Sequence, residues 1–313
     1  LPRCARNDRS RIPQPPQGTK LTHLPGRIVA VHGKHFLVET ADGRYDCVTR
    51  GKKGGIACGD RVEIKLTSSD AGVIEKNLPR DNLLYRSDRF HTKLLAANVD
   101  QVFVVTAAVP TPDPGLLDRC LIACEAAGIP ARIVVNKTDL PETAAWLDKL
   151  QAYAAMGYPL LALAAKSDIS PLTERLANRT SILVGASGVG KSTLINAIVP
   201  EAEIATQEIS EALDTGKHTT THTRLYRLPG GGALIDSPGM QEFALGHLDQ
   251  ADLQAAFPEF RPLIGQCRFY NCRHLKEPNC AILAAVADGR ILRGRWRCYE
   301  TLCRELDSAA NHY

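Results

Sequence analysis

The sequence predicts an α/β protein with a parallel central sheet, preceded by a small β-barrel and followed by a cysteine-rich helical module. Three observations carry this prediction. Between residues 99 and 163, apolar β-prone runs (99–105, 131–135, 159–163) alternate with helical stretches (115–127, 142–156), as strands joined by crossover helices do. Ahead of them, five short β segments at 27–31, 35–39, 45–48, 61–65 and 71–75 are separated by turns such as Ala41-Asp42-Gly43, which fits a Greek-key barrel of OB type. Behind them, three cysteines and a histidine crowd into residues 267–280.

Taken in order, residues 1–20 are rich in Pro, Arg and Gln without periodicity, and read as a disordered basic arm. The barrel occupies 21–85. Its Arg50–Gly55 loop is basic, and its main aromatics, Phe36 and Tyr45, suit the core as well as base stacking, so recognition of an RNA backbone is favoured over base reading. Residues 77–86 read as a linker into the central domain, 86–247, and residues 248–313 form the last module.

The 313 residues are 44% hydrophobic, enough to bury the cores of two or three domains. No apolar stretch reaches the length of a membrane span and no signal-peptide pattern opens the chain, so a cytoplasmic protein is expected. The net charge of +4 is unevenly spread: +7 over residues 1–100, −5 over 101–250 and +2 over 251–313. Basic flanks suit a polyanionic partner, although ordinary solvated surface accounts for them equally well. Of ten cysteines, Cys4, Cys47, Cys58, Cys120, Cys124, Cys298 and Cys303 are scattered and read as buried or incidental thiols.

The chemistry centres on residues 181–195. Ile182-Leu183-Val184 leads into Gly185-Ala186-Ser187-Gly188-Val189-Gly190-Lys191-Ser192-Thr193, and an apolar helix pattern follows. This is a P-loop: glycines turn backbone N–H groups toward phosphate oxygens, Lys191 reaches the β/γ-phosphates, and Ser192 can ligate Mg²⁺. Upstream, a strand ends in Asn136-Lys137-Thr138-Asp139. A carboxylate at Asp139 accepts from guanine N1–H and its 2-amino group, which adenine does not offer, so the pair of motifs selects GTP. Downstream, a strand runs into Asp236-Ser237-Pro238-Gly239, where Asp236 can hold Mg²⁺ through water and the Gly239 amide can sense a γ-phosphate. Between them lies Lys217-His218-Thr219-Thr220-Thr221-His222-Thr223, whose threonines are indistinguishable by type as Mg²⁺ ligands.

In the ordinary GTPase the P-loop comes first and NKxD last. Here NKTD precedes the P-loop, which is a circular permutation. The combination of barrel, NKTD, GASGVGKS, KHTTTHT, DSPG and the cysteine/histidine cluster resembles the ribosome small-subunit-dependent GTPase A (RsgA) family over nearly the whole chain. The resemblance implies a circularly permuted P-loop GTPase domain with an N-terminal OB-type barrel and a C-terminal zinc-binding helical module, acting on the small ribosomal subunit and its rRNA. It implies that Ala164-Ala165-Lys166 meets the guanine through backbone N–H, that Thr220 or Thr221 joins Ser192 and Asp236 at Mg²⁺, and that His218 is the catalytic candidate. A solvated loop histidine is the alternative for His218. Met240 stands where Ras-like enzymes carry a catalytic Gln, so intrinsic hydrolysis should be slow, with Gln241 a displaced second candidate.

Cys267, Cys272, His274 and Cys280 offer three thiolates and an imidazole, a set that closes a tetrahedral structural Zn²⁺ site. Their spacing is not that of a common finger. The assignment comes from the resemblance, and buried thiols beside a surface histidine remain the alternative. Helices are expected at 248–257, 281–286 and 291–306. Arg290, Arg293, Arg295 and Arg297 face either rRNA phosphates or solvent, and the resemblance favours RNA. Rival readings are a nucleotide-gated RNA-binding scaffold in which hydrolysis is incidental and a P-loop RNA-modifying or RNA-unwinding ATPase. A monomer is expected.

Overall fold

The computed structural model describes residues 23–51, 55–87, 92–200, 202, 223–237 and 243–310. The expected arm at 1–20, residues 52–54 of the basic loop, and the predicted site residues His218, Thr220, Thr221 and Gly239, with Met240 and Gln241, lie outside them.

The barrel is built from β1 (His23–His32), β2 (His35–Glu39), β3 (Arg44–Thr49), β4 (Arg61–Leu66) and β5 (Ala71–Asn77). Alternation of apolar and polar residues puts Ile28, Phe36, Val38, Tyr45, Cys47, Val62, Ile64 and Ile74 inside. The pairing order β1-β2-β3-β5-β4 closes on itself through β1–β4, with only β3–β5 parallel, so no edge is left open.

The expected linker contains a strand. β6 (Leu83–Ser87) pairs with β7 (Thr92–Ala97), because Leu84 on one strand and Leu95, Ala96 and Ala97 on the other are buried in the central core. The boundary expected at residue 85 therefore falls inside β6.

The central domain follows as β8 (Gln101–Ala107), α1 (Pro114–Ala126), β9 (Ala131–Asn136), α2 (Thr143–Ala155), β10 (Leu160–Ala162), a short α3 (Ser170–Thr173), β11 (Thr180–Gly185), α4 (Lys191–Ile198), β12 (Thr223–Arg227) and β13 (Ala233–Asp236). Spatially the strands run β10-β9-β8-β11-β13-β12, parallel except for β12. β8 and β11 are buried along their whole length, the burial that crossover helices impose. The P-loop strand β11 lies between β8 and β13, where strand order reverses and ligands bind at the carboxyl ends. β12 went unread because only Thr223 and Leu225 of its five residues are buried, too few for an apolar run. It also joins the two sheets, pairing with β1 through Ala30↔Arg224 and Val31↔Thr223.

The last module carries α5 (Gln250–Ala255), α6 (Ala281–Ala287) and α7 (Arg293–Ala310). Its core is aromatic: Phe257 stacks on Phe260 at 4.8 Å between centroids, and Tyr299 meets both edge-on. Arg295 does not face outward as expected. It is 1% exposed, donates to Glu259 Oε1 at 2.7 Å and to Asp118 Oδ1 at 3.2 Å, and lies over the Phe257 ring. Two carboxylates and a ring face outweigh its desolvation, which is why an arginine tolerates this position. Asp118 also accepts from Tyr153 Oη at 2.8 Å, so one buried network ties α1 and α2 to α7. Arg290 lies ahead of α7 and pairs with Asp288. No helix among the described residues is long and apolar enough to cross a membrane.

Candidate functional site

The P-loop emerges from β11 at Gly185 and enters α4 at Lys191. Gly185 has φ +145°, and a Cβ there would lie 2.2 Å from the Val105 carbonyl oxygen. Gly190 has φ +97°, and a Cβ there would lie 2.3 Å from Asn136 Nδ2. Both positions demand glycine for conformation and for space. Lys191 is buried and donates to the carbonyls of Gly185 and Ala186 at 2.9 and 2.6 Å, bending its side chain back over the loop. Burial lowers its pKa, while Asp236 on the neighbouring strand acts to raise it. Ser187, Gly188, Ser192 and Thr193 are exposed on the open side of the loop, Ala186 is partly covered and Val189 is buried beneath it.

Asn136, at the end of β9, is the hinge pin of the site. Its Nδ2 donates to the Val189 carbonyl and its Oδ1 accepts from the Ala165 amide, both at 2.9 Å, so one buried side chain fixes three loops. Lys137 adopts φ +64° and donates to the carbonyls of Val109 and Gly188 at 2.8 and 2.9 Å. Thr143 Oγ1 donates to the Lys137 carbonyl at 2.7 Å, and the Thr138 amide to Leu163 at 3.2 Å. Asp139 and Thr138 remain exposed, which leaves the carboxylate open to a ligand. Ala164 is buried, and the exposed Lys166 follows Ala165 along the same loop.

On the other flank β13 delivers Asp236 in register with Leu183 of β11. Burial pushes the Asp236 carboxyl up to about 6, against the pull of Lys191. Ser237 Oγ donates to the Leu183 carbonyl at 2.6 Å, pinning the start of the DSPG segment to the P-loop strand. In the sequence only a serine directly after Asp236 points to this contact. Asn136, Lys137, Ala165, Gly185 to Ser192 and Asp236 thus converge at one end of the sheet. Loop amides, a lysine and an exposed carboxylate suit a purine nucleotide with its phosphates. Ser192 and Asp236 offer the hard oxygen donors that Mg²⁺ takes with such a ligand.

The second cluster is compact. The ligand atoms of Cys267, Cys272, His274 and Cys280 all lie within 4.8 Å of one another. Tetrahedral zinc with bonds of about 2.3 Å to sulfur and 2.0 Å to nitrogen requires sulfur–sulfur separations near ~3.8 Å and sulfur–nitrogen separations near ~3.5 Å. Here Cys267 and Cys280 are 3.8 Å apart, and His274 Nδ1 is 3.5 and 3.3 Å from these two sulfurs. The donor set fits structural Zn²⁺ with no open position. Around it, Trp296 Nε1 donates to the His274 carbonyl at 2.9 Å and Tyr299 Oη to the Arg273 carbonyl at 2.8 Å. Glu277 accepts from the amides of Arg273, Leu275 and Lys276 at 2.9–3.0 Å. Burial opposes its ionisation, but these amides outweigh it and bring the carboxyl down to about 2.

The RsgA GTPase family profile matches residues 77–246. The Small ribosomal subunit biogenesis GTPase RsgA of Nitrosomonas europaea is 50% identical over 290 residues, covering 91% of this chain and 92% of its own. Its namesake in Burkholderia pseudomallei is 52% identical over 287 residues, covering 90% and 91%. Among solved structures, YjeQ from Thermotoga maritima aligns with TM-score 0.70 at 31% identity, over 91% of this chain and 99% of that one. YloQ, described as a circularly permuted GTPase, aligns with TM-score 0.67 at 27% identity, over 94% and 98%. With the P-loop, the NKTD loop and Asp236 gathered on a permuted sheet between a barrel and a Cys₃His cluster, this chain belongs to the RsgA GTPase family.

Proposed function

We propose that this protein binds the small ribosomal subunit through its rRNA, hydrolyses GTP slowly on its own and faster on the subunit, and couples late subunit maturation to its own release. The names of its relatives support the ribosomal partner. The observation that carries the coupling is the path of the chain after the DSPG strand. The Ser87 amide of β6 donates to the Ala244 carbonyl at 3.0 Å, and the Gly246 amide returns a bond to the Ser87 carbonyl at 2.8 Å. The chain then enters α5. The chain that continues the DSPG motif is thereby bonded, at residues 244–246, to the β6–β7 hairpin and runs on into the zinc module.

In this reading Asp139, Asn136 and the 164–166 loop hold guanine, with Lys137 and Thr138 shaping the base pocket. The P-loop from Gly185 to Thr193 cradles the phosphates and Lys191 neutralises them. Ser192, Asp236 and Thr220 or Thr221 hold Mg²⁺, and Gly239 reports the γ-phosphate. His218 orients the attacking water. Zinc on Cys267, Cys272, His274 and Cys280 is structural. The units are the arm 1–20, the RNA-binding barrel ending ahead of β6, the GTPase domain from β6 to residue 247 and the zinc module 248–313, in a cytoplasmic monomer. The test compares subunit affinity with GDP and with a non-hydrolysable GTP analogue. Tighter binding with the analogue is expected, and equal affinities would sink the coupling. His218→Ala should keep subunit binding and lose release; unchanged release would make hydrolysis incidental.

A further inference from the structure

The barrel offers no aromatic platform, because Phe36 and Tyr45 are 7% and 9% exposed. The exposed aromatics lie elsewhere. Among the large apolar side chains exposed in the described residues, two are aromatic and they are adjacent: Phe269 at 41% and Tyr270 at 102%. Both lie in the loop between the metal-cluster residues Cys267 and Cys272.

This loop is held at both ends. The Cys272 amide donates to the Phe269 carbonyl at 3.2 Å, closing a turn with Tyr270 and Asn271 at its corners, and the Arg268 amide donates to Asn279 at 3.3 Å. Gln254 Nε2 bonds the Cys272 carbonyl at 3.4 Å. Arg268 lies 5.5 Å over the Phe269 ring. Residues 264–273 contain two arginines and no acid, and Arg273 is engaged by Asp307. A ring left fully in water gains nothing for the fold, and a metal-held turn presents it without ordering cost. Exposed rings beside an uncompensated guanidinium have the chemistry that takes unstacked nucleobases and their phosphates.

We propose that the Phe269–Tyr270 turn is a stacking platform for an unpaired RNA base, with Arg268 reaching the adjoining phosphate. This rests on the reading that the chain binds small-subunit rRNA, and names one surface that does so. Stacking requires a π-face, which leucine lacks while keeping apolar bulk. The test uses full-length zinc-loaded protein with a non-hydrolysable GTP analogue, and three probes: a short unstructured RNA, a blunt RNA duplex and purified small subunits. Zinc content is measured for every variant. Phe269→Leu with Tyr270→Leu should weaken binding of the unstructured RNA and the subunit by about fivefold or more, the lower range of stacking on one base, and leave duplex binding unchanged. Phe269→Trp with Tyr270→Trp should restore wild-type affinity. Equal affinity of the leucine pair and wild type overturns the platform while leaving ribosomal binding intact. Loss on the subunit without loss on the unstructured RNA also overturns it, because the rings would then meet a ribosomal protein. Wild-type protein that binds the unstructured RNA but not the subunit, with the leucine effect retained, keeps the platform and removes the ribosomal reading.

Discussion

The nucleotide site and the metal centre solve one problem, holding polar groups in fixed positions, by different means. At the nucleotide site the sheet does the holding. Registers such as Leu183↔Asp236 and Val105↔Val134 place the three strand ends, and Asn136, Lys137 and Ser237 then fasten loop to loop through backbone carbonyls and amides. The segment from Gly265 to Cys280 contains no strand and no helix, only turns that carry four ligand atoms. A sheet remains when one loop contact is lost. A cluster without a sheet has only a bound ion to hold it.

The largest effect that could break this contrast is metal removal. Structural zinc contributes apparent folding energies of about 10–16 kcal/mol, so chelation, or Cys280→Ser, should open the module to proteolysis around residues 264–280. Guanine nucleotide binding should persist, measured by titration of a fluorescent GDP analogue. Simultaneous loss of both would show that the two sites stand on one support. Next in size, Asp139→Asn should cut discrimination for guanine by about 10⁴-fold with the zinc module untouched, read as competition between GTP and xanthosine triphosphate.

How much of this contrast could be read beforehand differs by region. The P-loop, NKTD and the cysteine cluster are legible because glycines, an asparagine–aspartate pair and thiols at short spacing have few other uses. The alternating barrel strands are legible because one face of each must be apolar. Arg295 was not, because nothing local distinguishes an arginine facing solvent from one whose partners, Glu259 and Asp118, lie 36 and 177 residues away. β6 looked like a linker because the core it covers is assembled from residues far along the chain, although its partner β7 follows at once. Burial is a tertiary property, and a polar residue announces it only through its partners.

Arg295 ties the zinc module to the GTPase sheet's helices through Asp118. Removing it leaves Asp118 and Glu259 without their cation, and breaking such a buried pair costs about 3–5 kcal/mol. Arg295→Ala should therefore loosen the module from α1, seen as a lower urea midpoint and faster hydrogen exchange in α7, while metal content is retained. The smallest effect is that of Glu277. Its folded carboxyl sits near 2, below the ordinary value, so its contribution is complete above about pH 4.5 and disappears as pH falls toward 2. Glu277→Gln should lower the module's stability by a margin that stays constant from pH 7 to about 5 and narrows below about 4.5. A margin that grows on acidification would reverse the sign and remove the amides as its cause.

The central claim is that the nucleotide site is a GTPase switched by the small ribosomal subunit. The most direct measurement is the hydrolysis rate of GTP by zinc-loaded protein with and without purified small subunits, with ATP as the control. Slow hydrolysis alone and an increase of about tenfold or more with subunits are expected, for GTP only, of the kind produced when a partner completes a phosphoryl-transfer site. Identical rates with and without subunits, in protein that holds its metal and binds GTP, would contradict it.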